Sequence, residues 1–107
     1  MKQVINLTQT NFEQTLSEHD TVLVDFWAPW CAPCKFFAPI YEAAAERHPD
    51  VVFAKVNVDE EPELLTKHQI RAIPTLKVFR DGEEVERKTG AIPATQLDEV
   101  IAKAANG

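Results

Sequence analysis

The chain has 107 residues, with seventeen Asp and Glu against eleven Lys and Arg, for a formal charge of −6. That length suits one domain spanning 1–107, with a core large enough to hold without a disulfide or metal staple. An acidic balance with no dense cation cluster argues against a nucleic-acid partner, and the absence of any transmembrane-length apolar run argues against a membrane one.

In chain order, Val4-Ile5-Asn6-Leu7 suits a short strand, and Thr8 is placed to cap a helix carrying Phe12 and Leu16 on one face. The apolar stretch near Met1 is too short for a secretory leader, so a cytoplasmic location is expected. Thr21 to Trp27 is an almost unbroken apolar run, the pattern of a strand buried on both faces. A helix follows from Cys31 to about His48, with Pro39 inside it as a source of a kink. Val51 to Val58 reads as another buried strand. Asp59-Glu60-Glu61-Pro62 then marks a helix start, and that helix reaches about Gln69. Thr75–Arg80 and Glu83–Thr89 flank Asp81-Gly82, the signal for an antiparallel hairpin with a two-residue turn. Leu97, Val100, Ile101 and Ala104 recur at helical spacing and define a last amphipathic helix. The class is α/β, with a single mixed sheet between helices.

The two cysteines stand in Trp30-Cys31-Ala32-Pro33-Cys34-Lys35, at the start of a helix. One helical turn brings side chains three apart onto the same side, within bridging distance. Cys31 falls at the helix end, where unpaired N–H groups and the dipole favour a thiolate, which makes it the attacking sulfur. Cys34, one turn further in, is expected to be shielded and to resolve. Pro33 fits the first turn, where its missing N–H has no intrahelical partner to lose. A structural zinc needs four ligands. No second cysteine pair exists, and His19, His48 and His68 are scattered, so neither a metal nor a cofactor is expected. A purely structural bridge across so short a loop would restrain the unfolded chain little. In a reducing cytosol the pair is better suited to redox exchange.

Two charges sit where a core is expected. Asp25 interrupts the most apolar strand and must raise its pKa or find a partner. Lys55 is the same oddity in Val51-Val52-Phe53-Ala54-Lys55-Val56. If the two strands are neighbours, the pair can meet directly or through water. A buried acid near Cys34 can take that thiol's proton when it attacks, with Lys55 tuning the acid's charge. Ile73-Pro74-Thr75 enters the hairpin with a proline that is either an ordinary strand-start residue or a cis bond in a tight turn.

Several spaced motifs together resemble the thioredoxin family over essentially the whole chain. They are Asp25-Phe26-Trp27-Ala28 leading into Trp30-Cys31-Ala32-Pro33-Cys34-Lys35, then Ala38-Pro39, Lys55-Val56-Asn57-Val58-Asp59, Ile73-Pro74-Thr75 and Gly90-Ala91. The resemblance implies a thioredoxin fold, a mixed five-stranded sheet flanked by four helices. It implies a protein-disulfide reductase acting on disulfide-containing protein substrates, recharged by an NADPH-dependent flavoprotein, thioredoxin reductase, and working as a monomer. Cys31 and Cys34 are then the exchanging pair, and Asp25 and Lys55 the buried proton-transfer pair. Pro74 matches the family's cis proline, which leaves the backbone of Ile73 free to pair with an extended substrate segment. Trp30, Ile73, Gly90 and Ala91 form the apolar docking surface, with Ala32 and Pro33 between the sulfurs. Ala32 and Ala72 stand where glycine is usual. The first bears on redox poise, and the second narrows the docking groove by a methyl group or does nothing. Competing readings are a thiol oxidase or isomerase, a binding module in which the cysteines are incidental, and a metal-bridged dimer.

Overall fold

The computed structural model describes residues 4–106, so the expected domain limits at 1 and 107 lie outside the described residues. The chain opens with strand β1 (Ile5–Asn6), followed by helix α1 (Phe12–Glu18), strand β2 (Thr21–Trp27) and helix α2 (Ala32–Arg47). Strand β3 (Val52–Asn57) and helix α3 (Pro62–Lys67) come next, and the hairpin β4 (Thr75–Arg80) with β5 (Glu83–Thr89) leads to helix α4 (Ala94–Asn106). The five strands form one sheet in the order β1-β3-β2-β4-β5. β1, β3 and β2 run parallel, whereas β4 is antiparallel to both β2 and β5. This is the mixed sheet with four helices that the resemblance implied.

β2 is the central strand because both its faces are apolar, and every residue from Thr21 to Phe26 is buried. Its side chains alternate between two cores. Val22, Val24 and Phe26 pack with Phe12, Leu16 and Leu64, while Leu23 packs with Phe37, Tyr41 and Leu97. In the turn to β5, Asp81 and Gly82 have φ of 52° and 85°, and a pair of positive values matches the right-handed twist of the strands they join.

Several local expectations are corrected. Thr8 does not cap α1. Its carbonyl accepts from the N–H groups of Asn11 and Phe12, and its own N–H donates to Asn11 Oδ1 at 2.7 Å. Asn11 is therefore the residue before the helix, but its side chain is turned back into the preceding turn and caps nothing. The strands expected over Val4 to Leu7 and over Val51 to Val58 are each one residue shorter at each end. α3 stops at Lys67 rather than Gln69, where φ is 55°, a left-handed value that ends a right-handed helix. Pro39 lies inside α2 on its exposed side, where it removes one backbone donor. No helix among the described residues is long and apolar enough to cross a membrane.

Candidate active site

The C-terminal end of β2 delivers the chain to Cys31, which is the residue before α2 with φ −89° and ψ 112°. That extended conformation turns its sulfur over the first helical turn, where Sγ accepts from the Cys34 N–H at 3.3 Å. Cys31 and Cys34 form a disulfide with a Cα–Cα distance of 5.2 Å. Ala32 and Pro33, between them, are exposed. Burial alone does not separate the two sulfurs, since Cys31 is 4 % and Cys34 3 % exposed. Their surroundings do. Cys31 Sγ lies 3.8 Å from the carbonyl oxygen of Ile73, at the entry to β4, where the Ile73–Pro74 bond is cis. Cys34 instead lines a crevice of about 100 Å³ together with Asp25, Trp27, Tyr41 and Lys55.

Asp25 and Lys55 are register partners in neighbouring parallel strands, which puts their side chains on one face of the sheet. They do not touch: among the described residues no ion pair joins them, and the Lys55 Nζ sits 5.3 Å from the centre of the Trp27 ring. Asp25 is 4 % exposed and its Oδ1 has no hydrogen-bond partner. Burial pushes its carboxyl up to about 7, and the Lys55 charge only partly opposes this. The Tyr41 hydroxyl closes the floor by donating to the Ala54 carbonyl at 2.8 Å, and burial followed by the Asp25 charge holds its pKa well above the ordinary value.

Around the sulfurs the surface is apolar. Trp30 is 68 % exposed, yet its Nε1–H donates to both oxygens of Asp59, at 3.2 and 2.9 Å, which fixes the indole in place. Pro74 is buried, and Ile73, Gly90 and Ala91 are half-buried. The Gly90 N–H donates to the Pro74 carbonyl at 2.7 Å and ties the end of β5 to the segment facing Cys31. Gly90 adopts φ of 93°, a left-handed value that favours glycine. Ala72 lines a second groove, beside Trp30 and Ile73. Sequence reasoning missed Phe36, an exposed aromatic on the first turns of α2. The signal was available: Cys34, Phe37, Tyr41 and Ala44 follow helical spacing into the core, and the adjacent Phe36 falls off that stripe. In the sequence Asp59 marks a helix start and closes a family motif, with no signal that it holds Trp30, and nothing there distinguishes Arg71, which lies in the same groove as Ala72. Among the described residues no three His, Cys, Asp or Glu side chains converge as a metal site would require.

A disulfide at a helix N-terminus, facing the carbonyl before a cis proline on one side and a buried carboxyl on the other, defines a thiol–disulfide oxidoreductase. The thioredoxin family model matches residues 3–103. A putative thioredoxin 2 of Streptomyces coelicolor is 46 % identical over 97 % of this chain and 78 % of its own length. Thioredoxin of Alicyclobacillus acidocaldarius is 46 % identical over 92 % of this chain and 94 % of its own. Among solved structures, Fasciola hepatica thioredoxin superposes with a TM-score of 0.89 at 39 % identity, covering 94 % of this chain and 99 % of that one. The chain belongs to the thioredoxin family.

Proposed function

We propose that the protein is a protein-disulfide reductase in which Cys31 attacks and Cys34 resolves. The observation that carries this reading is the asymmetry around the two sulfurs: Cys31 at the helix end beside the Ile73 carbonyl, Cys34 on the crevice that holds Asp25. In the reduced protein the helix N-terminus and the Cys34 N–H favour a Cys31 thiolate. It attacks one sulfur of a substrate disulfide, a Cys31–substrate S–S bond forms, and the substrate's own S–S bond breaks to release a thiolate that takes up a proton. Asp25 then accepts the Cys34 proton, and Cys34 attacks Cys31 Sγ. The mixed disulfide breaks, the second substrate thiol leaves, and two electrons have passed from the dithiol to the substrate.

Lys55 positions the charge near Asp25 in this scheme. The Ile73 backbone pairs with an extended substrate segment, and Trp30, Ala32, Pro33, Ile73, Pro74, Gly90 and Ala91 provide the docking surface. Backbone pairing of this kind is independent of side chains and suits a broad set of protein disulfides. An NADPH-dependent flavoprotein, thioredoxin reductase, returns the two electrons. The protein works as a cytoplasmic monomer, as a single domain.

The test is capture of the intermediate. Cys34→Ser, reduced and mixed with a disulfide-bonded protein, should accumulate a one-to-one adduct through Cys31. Cys31→Ser should accumulate little. Equal trapping by both variants, or by neither, would remove the assignment of roles.

A further inference from the structure

We propose that Arg71 makes the groove beside Trp30 a subsite for an acidic side chain close to the target cysteine of the substrate. The inference rests on the reading that substrates dock against Trp30 and Ile73. The groove, of about 270 Å³, is walled by Trp30, Val58, Leu65, Ile70 and Ile73, with Asp59 and Arg71 as its charges. One of its walls, Ile73, neighbours the reacting sulfur, since the Ile73 carbonyl oxygen lies 3.8 Å from Cys31 Sγ. Arg71 is only two Cα steps before Ile73, at most ~8 Å along the backbone.

The two charges are not equivalent. Asp59 accepts the Trp30 Nε1–H on its two oxygens, which holds its carboxylate against the indole. Arg71 is exposed and, among the described residues, makes neither a hydrogen bond nor an ion pair. The unpartnered charge in the groove is therefore a guanidinium, a planar fork of donors that matches a carboxylate. The whole molecule carries −6 and repels acidic partners at a distance. Salt at 0.15 M confines that repulsion to about 8 Å, so the local contact decides selectivity among docked segments. The acidic side chain belongs within about three residues of the substrate cysteine, a span of ~10 Å of extended chain.

Three disulfide peptides differing only in Glu, Gln or Lys two residues from the cysteine test this against the reduced full-length protein. The second-order rate constant should fall from Glu to Gln to Lys, with the Glu peptide ahead of the Lys peptide by roughly fivefold, the size expected of one partly exposed charge contact. Arg71→Gln should bring that ratio close to one, and Arg71→Lys should keep part of it. A ratio unchanged in Arg71→Gln, a ratio abolished by Lys35→Gln instead, or a wild-type preference for the Lys peptide would overturn the subsite. Equal rates for all three peptides would overturn it while leaving the reductase reading intact. Failure to reduce any of them would overturn both.

Discussion

Lys55 stands opposite Asp25 in the β2–β3 register, yet its ammonium lies over the Trp27 ring, 5.3 Å from the ring centre, and makes no ion pair with the carboxylate. Asp25 thus remains a buried acid with a free Oδ1, beside the crevice that Cys34 lines. Its pKa of about 7 follows from burial that the neighbouring charge does not offset. A group so placed loses stability to the fold and retains a proton affinity suited to neutral pH.

The stability cost has a definite pH window. Unfolded, Asp25 ionises near 3.8, and folded, near 7. Between those values the folded chain keeps a proton that the unfolded chain releases, so stability falls as pH rises from about 4 to 7 and this contribution is flat on either side. The gap corresponds to roughly 4 kcal/mol at pH 8, as an order of magnitude. Asp25→Ala should therefore be more stable than the parent at pH 8 by a few kcal/mol, and the gain should vanish by about pH 4. Denaturant unfolding at the two pH values checks this, and an equal gain at both would refute the assignment.

The same carboxyl governs the second exchange step on the proposed mechanism. Asp25→Asn keeps the shape and removes the proton acceptor, so decay of the mixed disulfide should slow by about tenfold or more. The inflection near pH 7 should disappear from its rate profile. Stopped-flow kinetics with a protein disulfide between pH 5 and 9 gives both readouts. A parental rate and profile would sink the role.

Asp59 acts through Trp30. Removing the carboxylate in Asp59→Ala frees the indole, which should lower the rate with folded protein disulfides severalfold while leaving small aliphatic disulfides little affected. Because both residues are exposed, stability should move by less than about 0.5 kcal/mol. A similar loss with both substrate classes would mean that the effect lies at the sulfurs and not in docking.

At the far end of β4, Gly82→Ala should cost about 1 kcal/mol, because φ is 85°. A Cβ there meets nothing within 4 Å, so the cost is backbone conformation alone. The turn lies ~17 Å along the strand from Thr75, and exchange rates should not change. Thermal unfolding together with an exchange assay separates the two.

Much of this was legible from residue patterns because the patterns were local. β2, β4 and β5 fall on the expected spans, since an almost unbroken apolar run and a hairpin around Asp81-Gly82 carry their own boundaries. The cysteine geometry followed from helical spacing. What escaped depended on contacts distant in sequence. Glu61 stands at the start of α3 as expected, but its carboxylate accepts from the distant Gln9 N–H, at 2.9 Å. Lys77 is as buried as Asp25, at 3 % exposed, but it satisfies its charge on Glu84 at 2.7 Å across a hairpin whose register shifts at Val78 and Phe79. Lys55 could be paired with Asp25 by strand adjacency, but its preference for the Trp27 ring required side-chain placement.

The central claim is that the Cys31–Cys34 pair runs as a reductant, and its equilibrium reduction potential tests this most directly. Equilibration against a glutathione or NADPH-linked couple should give a strongly reducing value, more negative than about −230 mV and below the glutathione poise of an oxidising compartment. A value at or above about −180 mV would contradict the reductase reading and assign the protein to disulfide formation or isomerisation.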